Sequence, residues 1–288
     1  MKRLGGVVVA LALASTARAD PQQASVNAAD ESVSAPASSE ASAEELTKAI
    51  QNPVANLISV PFQNNIDYAI GPFDRVRNTL NIQPVIPMPL GAGLMLVSRI
   101  IIPVVYQPDV SMTGGGSSGL GDVNPTFYVA PANPGRLIWG LGPAFLLDTA
   151  TQRSTGTGKW SAGASVLALV QPAPWTIGAL VTNVWSFAGS DDRDDVNQMT
   201  VQYFVNYNIT STVFLTSAPI ITANWKATAG DRWIVPFGGG VGAVFKIGKQ
   251  PMNGQLAAYY NAITPDTLPS PSWQLRIQIG FLFPKKKG

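Results

Sequence analysis

The C-terminal stretch "SWQLRIQIGFLFPKKKG" alternates with a period of two. Trp273, Leu275, Ile277, Ile279, Phe281 and Phe283 are apolar; Gln274, Arg276, Gln278 and Gly280 between them are polar or minimal. Successive strand residues point to opposite sides of a sheet, so the pattern predicts a strand with one greasy and one wet face. From about residue 54 the same pattern recurs. In "PWTIGALVTNVWSF", Trp175, Ile177, Ala179, Val181, Trp185 and Phe187 share a face. In "VNQMTVQYFVNYNI" the set is Met199, Val201, Tyr203, Val205 and Tyr207, and in "RWIVPFGGGVGAVFKIG" it is Trp233, Val235, Phe237, Val241, Phe245 and Ile247. Asn183 and Phe204 interrupt the rule. Residues 85–106 and 161–185 are apolar enough to be mistaken for membrane helices. Pro87, Pro89, Pro103 and the "QPAP" at 171–174 break helices, and each stretch divides better into two strands and a turn.

This reading yields strands at about 54–63, 78–88, 93–106, 119–130, 136–148, 158–171, 174–188, 196–209, 211–225, 232–247, 250–262 and 272–283. Strands of roughly ten residues cross a bilayer when tilted. The connections alternate. "PLGAG", "APANPG", "QPAP", "YNITS" and "IGKQP" are short, whereas "NNIDYAIGPFDRVR", "PDVSMTGGGSSG", "TATQRSTGTG", "AGSDDRDD", "KATAGD" and "TPDTLPSP" are longer and more polar. Short turns at one end and long loops at the other are the mark of an up-and-down barrel. The predicted fold is all-β: a transmembrane antiparallel β-barrel of about twelve strands, preceded by a short helical or disordered segment.

Two sets of side chains follow. The outward faces meet lipid, and the aromatic residues at strand ends sit at headgroup level; this girdle is Trp139, Trp160, Trp175, Trp185, Trp225, Trp233, Trp273 and Phe283. The polar faces line the lumen. The residues expected there, some forming a constriction, are Arg99, Asp122, Arg136, Gln202, Asn206, Lys246, Gln274, Arg276 and Gln278, with Arg99 and Arg276 foremost because both fall well inside their strands.

Composition narrows the chemistry. Charged residues make up 12% of the chain, about half the usual share for a soluble protein. The net charge of +2 gives no electrostatic case for nucleic acid. With no His, Ser-His-Asp triads, Cys-His dyads and most zinc sites are excluded; with no Cys, so are disulfides and iron–sulfur clusters. No catalytic, cofactor-binding or metal-ligating residues are expected. The Gly-rich "GGGSSGLGD" lacks the Lys-Ser/Thr pair of a phosphate loop, and "SDDRDD" lacks the spacing of a calcium loop, so both are read as loop tips.

The N-terminal "MKRLGGVVVALALASTARAD" has a basic start, a short apolar run and an A-x-A site, the pattern of a signal peptide over residues 1–19. Residues 20–51 are read as an Ala/Ser-rich linker followed by one short helix in "ASAEELTKAIQNP", placed either in the periplasm or in the lumen as a plug. The barrel is assigned to 52–283 and a basic periplasmic tail to 284–288.

Five stretches together, "NPVANLISVPFQNNIDYAIGP", "NIQPVIPMPL", "SGLGDVNPTFYVAP", "GKWSAGASVLALVQPAPWTIGALVTNVWSFAG" and "GDRWIVPFGGGVGAVFKIG", resemble the outer-membrane channel family named for the meta-pathway of phenol degradation. The resemblance covers most of residues 50–283. It implies a Gram-negative outer-membrane barrel that passes small molecules, often aromatic or apolar, and it carries over no site residues. The expected partners are the lipid bilayer with its lipopolysaccharide, the barrel-assembly machinery that reads the last strand, and a small solute. The rival expectations are a structural or adhesive barrel without transport, and an outer-membrane enzyme, which the missing histidine disfavours.

Overall fold

A computed structural model describes residues 42–284. The signal-peptide and linker assignments and the Lys285–Lys287 tail lie outside the described residues. The alternating segments become fifteen strand segments in one sheet: β1 (Ile58–Ile70), β2 (Arg75–Ile82), β3 (Val85–Gly91), β4 (Leu94–Pro108), β5 (Gly116–Leu120), β6 (Asn124–Pro131), β7 (Leu137–Leu146), β8 (Lys159–Val170), β9 (Trp175–Gly189), β10 (Asn197–Asn208), β11 (Val213–Ser217), β12 (Ile220–Asn224), β13 (Trp233–Ile247), β14 (Gln250–Ile263) and β15 (Trp273–Phe283). Three barrel strands are split. β2 and β3 form one stave interrupted at Gln83-Pro84, β5 and β6 one interrupted at 121–123, and β11 and β12 one interrupted at Ala218-Pro219. The result is a closed ring of twelve antiparallel staves.

Closure occurs where β1 meets β15, from Ile58↔Phe283 to Tyr68↔Trp273. It is continued around the ring by β9 and β10, which pair from Trp175↔Tyr207 to Trp185↔Asn197. No open edge remains, as a sheet in hydrocarbon requires. Two breaks fall at proline, which has no N–H for the ladder. At Gly142 the β6 backbone approaches so closely that a Cβ would stand 1.8 Å from the Phe127 carbonyl oxygen. Only glycine fits that position.

Side chains sort by parity as the sequence pattern predicts. On β15 Trp273, Ile277, Ile279 and Phe283 face outward, while Arg276, Gly280 and Leu282 are buried inside. Aromatic rings collect at both strand ends. Trp139, Trp175 and Phe283 lie toward the short turns; Trp160, Trp185, Trp225, Trp233 and Trp273 lie toward the long loops. Several pair edge-on, including Trp175 with Tyr207 (ring centroids 4.8 Å apart) and Trp225 with Trp233 (5.6 Å).

The first stave differs from expectation. It runs from Ile58 to Ile70, not over 54–63, and the expected long loop 64–77 is a four-residue turn, 71–74. The polar residues of "QNNID" suggested a loop. In the structure Gln63, Asn65 and Asp67 are the buried inward row of a strand whose outward row includes Phe62 and Tyr68. Val54 and Leu57 belong to a segment inside the barrel.

The lipid-facing assignment has a direct test. Leu256 sits mid-strand on β14, exposed on the outer face between Val241 and Ile277. Leu256→Arg is expected to lower the unfolding free energy in phosphatidylcholine vesicles by about 2–4 kcal/mol, read from tryptophan emission during urea titration. A variant as stable as the parent would place that face elsewhere.

Candidate functional site

The lumen is organised in three levels, and the lowest is filled by the chain's own N-terminal segment. Helix α1 (Ala43–Ile50) begins with a capping box. The Ser42 hydroxyl accepts from the Glu45 amide at 3.1 Å, and the Ser42 amide donates to the Glu45 carboxylate at 2.9 Å. Glu44 pairs with Lys48 one turn on (2.7 Å). Eight residues make a marginal helix in water, so tertiary contacts hold it. Leu46 packs with Leu57, Val244 and Leu282. The Thr47 hydroxyl donates to the Ser211 carbonyl (2.8 Å) in one short turn, and Gln171 in another donates to the Lys48 carbonyl (2.9 Å). The Gln51 amide donates to Asn208 (2.8 Å) and accepts from the Thr176 hydroxyl (2.7 Å). Helix and following coil therefore lie in the turn-side mouth. Beyond the helix, Val54 is buried among inward side chains that include Val97, Tyr128, Leu167, Leu169, Leu180 and Phe204. The inward face is thus apolar at this level. Phe204, which interrupts the alternation, and Leu180 belong to the apolar cluster around Val54.

Above the plug the lining turns polar. A cavity of about 170 Å³ lies between plug residues such as Ile50, Pro53 and Leu57 and wall residues Gln63, Gln83, Arg99, Gln202, Asn206, Arg276 and Gln278. Arg276 organises one side. Its Nε donates to Asn65 (3.1 Å), one Nη to the Ala218 carbonyl (2.8 Å) and the other to Gln274 (3.1 Å), and the guanidinium lies 4.8 Å from the centre of the Tyr259 ring. The Ala218 carbonyl stands at the Pro219 break, so Arg276 satisfies an acceptor that the interrupted ladder leaves over. Gln274 passes the network on to Asp67 (2.8 Å), which forms an ion pair with Arg77 (2.8 Å). Three staves along from β15, Arg99 on β4 donates to Gln83 (2.9 Å). A second inward chain links Tyr128, Ser165 and Thr182 through hydroxyls at 2.8 and 2.6 Å.

At the loop end the lumen widens into a vestibule of about 660 Å³, lined by Gln198, Thr222 and Asn224 below and by loop residues Arg153, Asp192, Arg193 and Asp231 above. Two of the four "SDDRDD" carboxylates are engaged by cations: Asp192 with Arg153, and Asp195 with Lys159 and Lys226. The Ser190 hydroxyl, then Arg153, holds the Asp192 carboxyl down at about 2, against an ordinary 3.8. A depressed folded pKa means that this latch is fully formed above the ordinary value and is lost only as pH falls through about 2.

Of the residues expected in the lumen, Arg99, Gln202, Asn206, Arg276 and Gln278 line the cavity, and Gln274 abuts it through Arg276. Three fall elsewhere. Asp122 turns its carboxylate to the loop after β7, accepting from the Ala150 amide (3.3 Å) and from the Thr157 amide and hydroxyl (2.6 and 2.7 Å); it staples that loop. Arg136 is exposed in the short turn before β7. Lys246 has inward parity but sits exposed at the turn-side rim, where β13 ends. Parity alone does not report depth, and these strand-end residues expose the difference. Asn65, Asp67 and Arg77 escaped the sequence reading because the first stave was placed too early; Gln63 and Gln83 fall inside expected strands but were not singled out. The signal was present in the alternation of Phe62, Ile66 and Tyr68 with Gln63, Asn65 and Asp67.

No protein-family model matches the sequence, nor does any curated protein. Among solved structures the chain is similar to an outer-membrane channel from Pseudomonas putida F1, with a TM-score of 0.61 and 15% identity over 79% of this chain and 94% of that one. That likeness establishes a shared barrel fold. The NanC porin (TM-score 0.47, 10% identity, 78% of this chain and 98% of that chain) and outer-membrane phospholipase A from Escherichia coli (0.42, 10%, 78% and 92%) are too distant to bear on function.

Arg276 should be the costliest single side chain of the lumen to remove. Arg276→Ala leaves Gln274 and the Ala218 carbonyl without their guanidinium donor and Asn65 with only the longer bond from Gln63, and is expected to cost about 2–4 kcal/mol in chemical unfolding. Arg276→Lys should fall between, since an ammonium cannot reproduce the fork. An alanine variant of parental stability would show that water replaces the guanidinium without loss.

Proposed function

We propose that this chain is a passive outer-membrane channel for small molecules, closed at rest by its own N-terminal segment. The carrying observation is the combination of a closed barrel, a lumen cavity lined by polar and apolar side chains, a wider vestibule at the loop end, and a plug held by side-chain contacts in the opposite mouth. The long loops then face the outside, and the short turns, plug and both ends of the barrel chain face the periplasm. Nothing couples the barrel to an energy source in this reading. Solute moves down its gradient when the plug yields, and selectivity comes from the width and polarity of the lining. The barrel fold shared with a bacterial outer-membrane channel supports the reading, as does the sequence resemblance to a channel family associated with aromatic compounds. Aromatic or apolar solutes are therefore the first class to test. Export by a signal peptide cleaved after residue 19, insertion by the assembly machinery through β15, and contact with lipopolysaccharide belong to the same proposal. No enzymatic role is assigned. The buried network consists of amides, hydroxyls and guanidinium groups around one ion-paired carboxylate, without the histidine on which acyl-transfer sites commonly rely.

The test is solute flux in proteoliposomes, comparing phenol-like compounds with sugars and amino acids. The intact protein should pass the phenol-like compounds faster. Deleting residues 43–56 should raise flux of all small solutes, because the width of the conduit then sets passage, with heat-modifiable gel mobility confirming that the barrel has formed. A folded barrel that admits nothing, with or without the plug, would leave a structural or adhesive role in its place.

A further inference from the structure

We propose that the lumen cavity is a binding site for small organic anions, recognising an anionic head and an apolar body together; this rests on the channel reading above and names its solute class. The cavity lining contains two guanidinium groups, Arg99 and Arg276, and no carboxylate. The neighbouring carboxylate, Asp67, is already occupied by Arg77 and by the Gln274 amide. Among the described residues neither lining arginine has an ion pair.

The two arginines differ in what they have left to give. Arg276 is almost wholly buried and spends its fork on Asn65, Ala218 and Gln274. With three of its five N–H donors engaged, it supplies mainly charge. Arg99 is only partly buried, and among the described residues its one hydrogen bond runs to the Gln83 amide oxygen. A guanidinium carries five N–H donors in a planar fork that matches a carboxylate, so Arg99 keeps donors for a ligand. Two like charges facing one cavity inside a membrane barrel are poorly screened and make the space favourable to an anion. Arginine-lined constrictions select anions in pores for this reason.

The rest of the lining sets the shape of the ligand. Leu180, Phe204 and Val85 present an apolar wall in the same cavity. A bare inorganic ion makes no use of that wall, and a neutral hydrocarbon would leave Arg99 desolvated without a partner. A compact molecule with a carboxylate at one end and a ring or short chain at the other satisfies both surfaces. At about 170 Å³ the space is below the range of drug-sized pockets, which favours a single-ring solute.

Three planar isosteres separate charge from shape: benzoate, benzamide and benzamidinium. Titration calorimetry on the full chain in detergent, with flux of the same compounds in proteoliposomes, is the experiment. Benzoate should bind about tenfold or more tightly than benzamide, the scale of a charge-assisted pair over a neutral one, and benzamidinium most weakly. Acetate, which has the head without the body, should bind more weakly than benzoate. In Arg99→Gln the preference of benzoate over benzamide should vanish. The wild-type ranking stands even if that variant fails to fold. Benzoate binding no better than benzamidinium, or an undiminished preference in a folded Arg99→Gln, overturns the assignment. If all three isosteres cross equally well, the channel survives and its anion preference falls; if none of them nor any phenol-like compound binds or crosses, both fall.

Discussion

The structure depends on one constraint: a backbone amide in hydrocarbon has no water to bond, so each must find a partner within the protein. A ring of twelve staves meets this by having no edge. The constraint becomes visible where the ladder fails. Pro219 removes a donor in the wall, and the Ala218 carbonyl turns to the Arg276 guanidinium. At the Gln83-Pro84 break, the Gln83 amide bonds back to the Pro61 carbonyl at 2.9 Å, and the Ile100 amide reaches the Pro84 carbonyl at 3.1 Å. At 121–123, loop residues complete the pairing, with the Thr151 amide on the Leu120 carbonyl and the Leu147 amide on that of Val123. Each interruption is repaired from a different direction: by a lumen side chain, by neighbouring strands and by a folded loop.

These repairs tie the wall to the lumen. Arg276 serves the backbone on one side and the polar network of Asn65, Gln274 and Asp67 on the other. A cation at this depth would be expensive if left alone. Carbonyl, amide oxygens and the face of Tyr259 disperse its charge without a carboxylate in direct contact, so its field persists in the cavity. Stability of the wall and the electrostatic character of the conduit therefore come from the same side chain, and a substitution there alters both.

How much of this was legible in the sequence depends on which periodicity carried it. Eleven of the twelve staves follow the expected segments to within a few residues, because alternation over ten or more residues has no other easy explanation. The three breaks were invisible. A proline that splits a stave leaves parity on either side undisturbed, so 78–88 and 211–225 read as continuous. The first stave failed for a different reason: Asn64 places a polar side chain in the outward row, and the four polar residues of "QNNID" look like a loop until Asp67 is seen to meet Arg77 across the turn. Within the lumen, Arg99 and Arg276 could be named from parity and central position. Asp122, Arg136 and Lys246 could not be excluded, since depth along the axis depends on register and loop folding. The plug was legible as a helix, Ser42 and Glu45 forming the cap that the sequence shows, but its location rests on long-range contacts of Gln51, Thr47 and Val54 that no local pattern encodes.

The balance of forces on the plug bears on what could open it. Its polar anchors, the bonds of Gln51 and Thr47, are weak locks, each net about 1 kcal/mol, because water takes their place once the segment leaves. Its apolar anchors differ. Leu46, Val54 and Leu57 are nearly wholly buried, and each loses about 2 kcal/mol if it is returned to water. The segment is also continuous with β1, so it remains at high local concentration and recloses readily. Water entering from the vestibule therefore cannot displace it at equilibrium. On the proposed channel reading a solute with an apolar body would have the means, since it would cover the Phe204 and Leu180 surface that Val54 leaves. The same apolar patch that covers Val54 is, on the proposed channel reading, the surface a solute would have to satisfy to displace the segment.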